Sequence, residues 1–90
     1  MDPRETFRAS FVDTAKRRFQ RITSLLERAE SVELRSAASE LRCLAGEAMM
    51  LDYGAVADAA RVAEQAALAG DRHRIRDLLD ELSAAIQRVA

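Results

Sequence analysis

Apolar side chains recur every three or four residues along almost the whole chain, and no other feature of the sequence constrains the fold as strongly. A period near 3.6 residues gathers apolar side chains on one face of an α-helix, whereas a half-buried β-strand needs strict alternation of apolar and polar residues. Only three glycines and one proline interrupt the pattern in 90 residues. Because these residues break helices, their scarcity supports the same conclusion. The sequence therefore predicts an all-α fold.

Four helical segments are separated by breaks of only a few residues. Asp2, Ser31 and Asp71 are candidate N-caps, because short polar side chains accept hydrogen bonds from the free N–H groups of a first helical turn. Gly70 marks the end of the third segment, since glycine adopts the left-handed conformation that terminates helices. The four predicted helices cover Pro3 to about residue 29, Ser31 to Leu51, Ala55 to Ala69, and residue 72 to Val89.

Short connections force consecutive helices to lie antiparallel, so we expect residues 1–90 to form one domain, an up-down-up-down antiparallel four-helix bundle. At ~1.5 Å per residue, the first helix is ~40 Å long and overhangs the shorter third helix.

The core expected from the apolar stripes consists of Phe7, Phe11, Ala15, Phe19, Ile22, Leu26 and Ala29, then Leu34, Ala37, Leu41, Leu44, Ala48 and Leu51, then Val56, Ala59, Ala60, Ala63, Ala66 and Ala67, and finally Ile75, Leu78, Leu79, Leu82, Ile86 and Val89.

Charge and hydropathy argue against nucleic-acid and membrane partners. The chain has 14 basic and 15 acidic side chains, whereas proteins that bind nucleic acid carry an excess of basic residues. We interpret the cluster of Lys16, Arg17, Arg18 and Arg21 as a solvated helix face. No apolar run reaches the roughly 20 residues that span a bilayer, and the polar, acidic start differs from a signal peptide. We therefore expect a cytoplasmic protein, and the abundance of alanine and arginine favours a bacterial one.

Motifs for catalysis or metal binding are not found in the sequence. One cysteine, Cys43, and one histidine, His73, fall short of the three or four ligands that a zinc site needs. No glycine-rich phosphate loop, defined carboxylate pair or Ser/His/Asp arrangement is present. We expect His73 to be a solvated surface residue and Cys43 to be a partly buried structural thiol. The sequence thus favours a protein that is not an enzyme and that holds no cofactor or metal.

The outer face of the second predicted helix carries an arginine among small and apolar residues. Arg42 lies well outside the arc of about 100° that holds the core positions. Gly46 costs roughly 1 kcal/mol relative to alanine inside a helix, so its place on an open face favours the close approach of another molecule. Drift in an alanine-rich helix is the alternative explanation. The candidate partner-binding residues are Arg35, Ala38, Ser39, Arg42, Ala45, Gly46 and Met49.

Residues 41–51, with the sequence LRCLAGEAMML, resemble the signature of histidine phosphotransfer (HPt) domains. That signature reads roughly His-x-Leu-Lys/Arg-Gly-x-Ala/Ser and is followed by small apolar residues. Leu44, Gly46 and Ala48 match it in register, and the two segments that follow are similar to the last two helices of the family. The resemblance covers most of the chain and implies a four-helix bundle that takes part in phosphorelay signalling.

The chain departs from the HPt signature at both positions that carry its chemistry. The phosphoacceptor histidine falls on Arg42, and the neighbouring basic residue falls on Ala45. A guanidinium group stays protonated in proteins and is a poor nucleophile, so Arg42 cannot accept a phosphoryl group as neutral imidazole does. The resemblance therefore implies a degenerate member of the family, a pseudo-phosphotransferase that carries no phosphate.

Two functions remain open from the sequence. The first is a non-catalytic pseudo-HPt regulator of two-component signal transduction, acting through protein–protein interaction. It would bind a response-regulator receiver domain or a histidine kinase stoichiometrically, and Arg42 would meet the acidic pocket of the receiver. The alternative is a structural helical module that self-associates, as a homodimer formed through the alanine-rich third helix or through the outer face of the second.

Overall fold

The computed structural model describes the backbone of residues 3–28 and 31–90 and the side chains of residues 5–28 and 33–90. Four helices follow one another along the chain and form the predicted four-helix bundle, which measures 44 × 18 × 18 Å. The candidate cap Asp2, the cap side chain of Ser31 and the stripe position Ala29 lie outside the described residues. The helices are α1 (Pro3–Arg28), α2 (Ser31–Met50), α3 (Gly54–Ala69) and α4 (Arg72–Val89).

Gly70 ends α3 and Asp71 caps α4, as the sequence predicts. Gly70 has φ 72°, in the left-handed region, and its N–H group bonds to a carbonyl of the last turn of α3. The Asp71 side chain then accepts a hydrogen bond of 3.1 Å from the N–H group of Arg74 and caps α4. At the end of α2, Asp52 has φ 64°, a conformation that aspartate tolerates better than most residues. Helix α3 begins at Gly54, one residue before its predicted start.

One hydrophobic core lies between the four helices, and most of the predicted core positions are confirmed. Phe19, Leu26, Leu51, Ala59 and Val89 pack against this core while only partly buried. Within the described residues no polar or charged side chain is buried. The predicted positions that are buried are Phe11, Ala15 and Ile22 in α1, Leu34, Ala37, Leu41, Leu44 and Ala48 in α2, Val56, Ala60, Ala63, Ala66 and Ala67 in α3, and Ile75, Leu78, Leu79, Leu82 and Ile86 in α4.

The four helices do not pack equally closely. Among the helix pairs that touch, α2 and α3 have the most extensive backbone contact and α1 and α4 the least. Alanine accounts for five of the six buried residues of α3, and short side chains allow two helix backbones to approach each other. The alanines of α3 thus place α2 and α3 side by side along most of their length.

Helix α1 extends past the end of the bundle, as its length predicts. Its residues from Glu5 to Ser10 are all exposed, and burial begins at Phe11. The expectation that Phe7 belongs to the core is wrong, because this side chain is 62% exposed. The Phe11 ring packs on Tyr53 in the α2–α3 connection, and Phe7 lines an open cavity beside Met50 and Leu51 at the end of α2. No helix in the described part of the chain is both long enough and apolar enough to cross a bilayer.

Candidate functional site

Five of the seven candidate partner-binding residues on α2 are exposed, and two are not. The expectation that Ala38 and Ala45 belong to the open surface is wrong, since they are 3% and 5% exposed. These two residues are seven positions apart, so they share one flank of α2, and that flank faces α3. Close packing of α3 covers them. The exposed residues are Arg35, Ser39, Arg42, Gly46 and Met49.

A shallow groove runs between α2 and α3 beside these exposed residues, and Arg42 lines it. The groove has a volume of about 340 Å³. A Cβ atom added to Gly46 would meet no heavy atom within 4 Å, so the groove is open above this residue. The remaining lining residues are Ala45 and Met49 from α2 and Arg61, Glu64 and Gln65 from α3. The groove and the exposed residues of α2 beside it are called the α2–α3 face below.

Arg61 is the functional candidate that sequence reasoning missed. Its guanidinium group donates a hydrogen bond to the Met49 sulfur, so the side chain reaches from α3 across to α2. The signal that could have found it is the three-residue connection between the two helices, residues 51–53. An antiparallel pair joined so tightly has a fixed register, and this register brings Arg61 near the level of Arg42 and Gly46.

Two of the four basic residues in the α1 cluster hold α1 and α2 together. Arg18 donates to Glu40 at 2.8 Å and to Glu47 at 2.6 Å, and Arg21 also donates to Glu40 at 2.8 Å. Arg17 forms an ion pair of 2.8 Å with Asp13 on its own helix. The interpretation of this cluster as a wholly solvated face is therefore too simple, because Arg18 is only 24% exposed and bridges two carboxylates.

The shared carboxylate of Glu40 has a perturbed pKa. Burial opposes the charged form of Glu40, but hydrogen bonds from Arg21 and Arg18 outweigh burial and hold the pKa of this carboxyl below its ordinary value. Burial likewise opposes the charge on Arg18, and its hydrogen bonds to Glu40 and Glu47 raise the pKa of this guanidinium despite that. Both groups are ionised at neutral pH, so the network is a set of charge-assisted hydrogen bonds.

The arginines of the α2–α3 face differ from Arg17, Arg18 and Arg21 of α1 in having no such partner among the described residues. Among the side chains of residues 5–28 and 33–90, no carboxylate lies within 4.0 Å of the guanidinium nitrogens of Arg35, Arg42 or Arg61. All three side chains are exposed. Glu64 lines the same groove as Arg42 and Arg61 without pairing with either. Within the described residues the face therefore presents three guanidinium groups that form no ion pair.

The lone cysteine and histidine lie apart from any cluster of similar groups. Cys43 is exposed, so the expectation of a partly buried thiol is wrong. Cys43 lies three and four positions from Glu40 and Glu47 on the same flank of α2, at the outer edge of the contact with α1, where it stays exposed. His73 is exposed in the first turn of α4. In the part of the chain that the structure describes, no three His, Cys, Asp or Glu side chains come together as a metal-binding group.

Comparison of the chain with models of protein families, with curated proteins and with solved structures finds no significant match. What the α2–α3 face can do follows from its own residues. Exposed guanidinium groups beside small and apolar side chains suit a contact with a surface that carries carboxylates, because arginine pairs with them through planar, bidentate hydrogen bonds. A shallow groove cannot enclose a small substrate, so this geometry favours a macromolecular partner.

Proposed function

We propose that this protein is a non-catalytic regulator of two-component signalling that binds a response-regulator receiver domain through the α2–α3 face and carries no phosphate. One observation carries this proposal: Arg42, which stands where the HPt signature has its phosphoacceptor histidine, is exposed and has no carboxylate partner among the described residues. HPt domains have a nucleophilic histidine at this position, whereas this protein has a side chain with a permanent positive charge.

The chemistry of Arg42 supports binding and opposes phosphate transfer. Its guanidinium group is always protonated, so it has no lone pair with which to attack an aspartyl phosphate. The same group can pair with the carboxylates of an acidic receiver pocket. Such a pair gains strength when neighbouring apolar contacts exclude water, and arginine is enriched among the residues that dominate binding energy. Binding without transfer would occupy the receiver and block or bias the flow of phosphate.

The surroundings of Arg42 support close docking. Gly46 leaves the helix backbone open on this side, and Ser39 adds only a small side chain. Met49 is 55% exposed and gives a flexible apolar contact that adapts to a partner of irregular shape. Ala38 and Ala45 are buried, and Ala45 lines the floor of the groove.

The test compares the wild type with Arg42→Glu for binding to a panel of purified receiver domains, measured by isothermal titration calorimetry. We expect a stoichiometric complex for the wild type and a loss of more than about tenfold in affinity for Arg42→Glu, since a like charge faces the acidic pocket. Arg76→Glu is the matched control, because it reverses an exposed arginine on α4. Incubation with phosphorylated receivers should leave no phosphate on the protein.

Other outcomes would assign a different function. Binding to a histidine kinase but to no receiver would move the proposal to kinase inhibition by contact with its helices. A mass that rises with concentration in analytical ultracentrifugation, without any signalling partner, would support the self-associating module instead. Equal affinities of wild type and Arg42→Glu for a receiver would rule out the part assigned to Arg42.

A further inference from the structure

We infer that Arg61 of α3 is a second anion-binding residue of the α2–α3 face, so that the acidic groups of the partner enter the groove instead of contacting α2 alone. This inference rests on the proposed function and names a determinant that the resemblance to HPt domains does not supply. The signature positions Leu44, Gly46 and Ala48 lie on α2, whereas Arg61 belongs to the next helix and is not one of them.

The groove brings the two arginines to one place from two helices. Arg42 lines it from α2 and Arg61 lines it from α3, with Ala45 and Gly46 between them. Because α2 and α3 pack more closely than any other pair of helices, both backbones that carry these arginines are held at a short separation. Two guanidinium groups on opposite walls of one groove add their potentials at the space between them, which attracts more than one carboxylate.

Arg61 is one of several exposed arginines that form no ion pair within the described residues, and its place in the groove beside Arg42 is what distinguishes it. Arg17, Arg18 and Arg21 of α1 each lie within 2.8 Å of a carboxylate oxygen, whereas no carboxylate in the described residues lies within 4.0 Å of Arg61. Glu64 is the only acidic residue that lines this groove, and it lies one helical turn from Arg61. It reduces the positive potential of the groove without neutralising either arginine.

The guanidinium of Arg61 contacts the sulfur of Met49 in the groove and pairs with no carboxylate among the described residues. Thioether sulfur is a weak acceptor, and a carboxylate is a strong one for a charged donor. An incoming carboxylate can therefore replace the sulfur of Met49 at small cost, and the side chain already extends towards the groove. The occupant that fits is a surface with at least two carboxylates a few ångströms apart, as in the acidic pocket of a receiver domain.

Two variants with opposite expected effects test this inference with a receiver that binds the wild type. Arg61→Glu should lower the affinity more than about tenfold. Glu64→Gln should raise it by about two- to fivefold, because it removes the one negative charge in the groove, and both effects should shrink as the salt concentration rises. Arg76→Glu, with its charge reversed outside the groove, should bind as the wild type does.

The variants also separate this inference from the proposed function. Loss of binding in Arg42→Glu together with unchanged binding in Arg61→Glu would overturn the inference and leave the function standing. Binding of no receiver by the wild type would overturn the function itself. Weakening by Arg76→Glu to the same extent would show attraction to net charge alone and would also overturn the inference. Thermal unfolding checks that each variant folds, and Arg61→Gln replaces Arg61→Glu if the latter does not.

Discussion

The ring of Phe11 lies against the ring of Tyr53, with centroids 4.9 Å apart and planes inclined at 45°. This tilted arrangement suits the charge distribution of aromatic rings and adds about 0.5–1.5 kcal/mol to the energy of burial. Because Tyr53 lies in the α2–α3 connection, immediately before α3, the pair closes the core at the end where α1 continues outward. Phe7, one helical turn before Phe11, lies outside this closure.

The two phenylalanines should therefore respond differently to truncation. We expect Phe11→Ala to lower the free energy of unfolding by about 3–5 kcal/mol, the usual loss for a buried phenylalanine. Phe7→Ala should change it by less than about 0.5 kcal/mol, because this side chain is 62% exposed. Urea denaturation followed by circular dichroism measures both. Equal losses in the two variants would mean that the first turns of α1 are buried.

Stability should fall in acid through Glu40. The pKa of Glu40 in the folded protein lies below its ordinary value of 4.5 because Arg21 and Arg18 donate hydrogen bonds to it against the effect of burial. A depressed pKa contributes stability that is fully present above pH 4.5 and is lost as the pH falls through the folded value. We expect Glu40→Gln to cost roughly 1–3 kcal/mol at pH 7 and to lessen the dependence on pH in this acidic range.

Urea denaturation of the wild type and of Glu40→Gln at a series of pH values from neutral to acidic measures this difference. Asp77→Asn is the control, since Asp77 is exposed and makes no ion pair within the described part of the chain. If wild type and Glu40→Gln lose stability in parallel as the pH falls, the network between α1 and α2 does not govern the acid sensitivity.

Gly46 should limit stability while it permits binding. Gly46→Ala places a methyl group in open space and removes the helix penalty of glycine, so the free energy of unfolding should rise by about 0.5–1 kcal/mol. Gly46→Gln should be at least as stable as the wild type and should bind a receiver more weakly, because its side chain fills the groove. Thermal unfolding and calorimetric titration measure the two effects. Undiminished receiver binding by Gly46→Gln would mean that the partner does not approach this backbone.

The cap of α4 should contribute a separate and local share of stability. Asp71→Ala leaves the N–H group of Arg74 without its acceptor and should cost about 1 kcal/mol in urea denaturation. Asp71→Asn keeps an acceptor and should recover most of this loss. Asp77→Ala, in the middle of the same helix, should have a much smaller effect. A loss as large in Asp77→Ala would point to net charge and not to the cap.

The helices were predictable because their signals are local. Gly70 and Asp71 act through the backbone conformation and hydrogen bonds of a few neighbouring residues, which any window of sequence contains. The spacing of apolar residues gave most of the core for the same reason. Phe7 has the correct spacing but is exposed, because its burial depends on where α1 ends relative to the other helices. The spacing of apolar residues within one helix does not show where that helix ends relative to its neighbours. That comparison requires knowing which helices pack together.

Which residues form the candidate site depends on how the helices pack against one another. The sequence pattern of a single helix does not reveal this packing. The angular spacing of residues around α2 correctly predicted that Arg42 faces outward. It did not reveal that α3 covers Ala38 and Ala45. Arg61 was missed because it joins the face only when α3 lies beside α2. The ion pair between Arg18 and Glu40 was missed in the same way, since 22 residues separate its members.

The helices of the bundle pack unequally, and this affects how much conformational entropy the protein loses when a partner binds. The closest backbone contacts lie directly beneath the α2–α3 face, and the sparsest lie between α1 and α4 on the far side. Local opening occurs where contacts are few, so motion should be concentrated at the far seam. A partner that docks on this face as proposed would meet a backbone that is already ordered, so complex formation would cost little backbone conformational freedom in this protein.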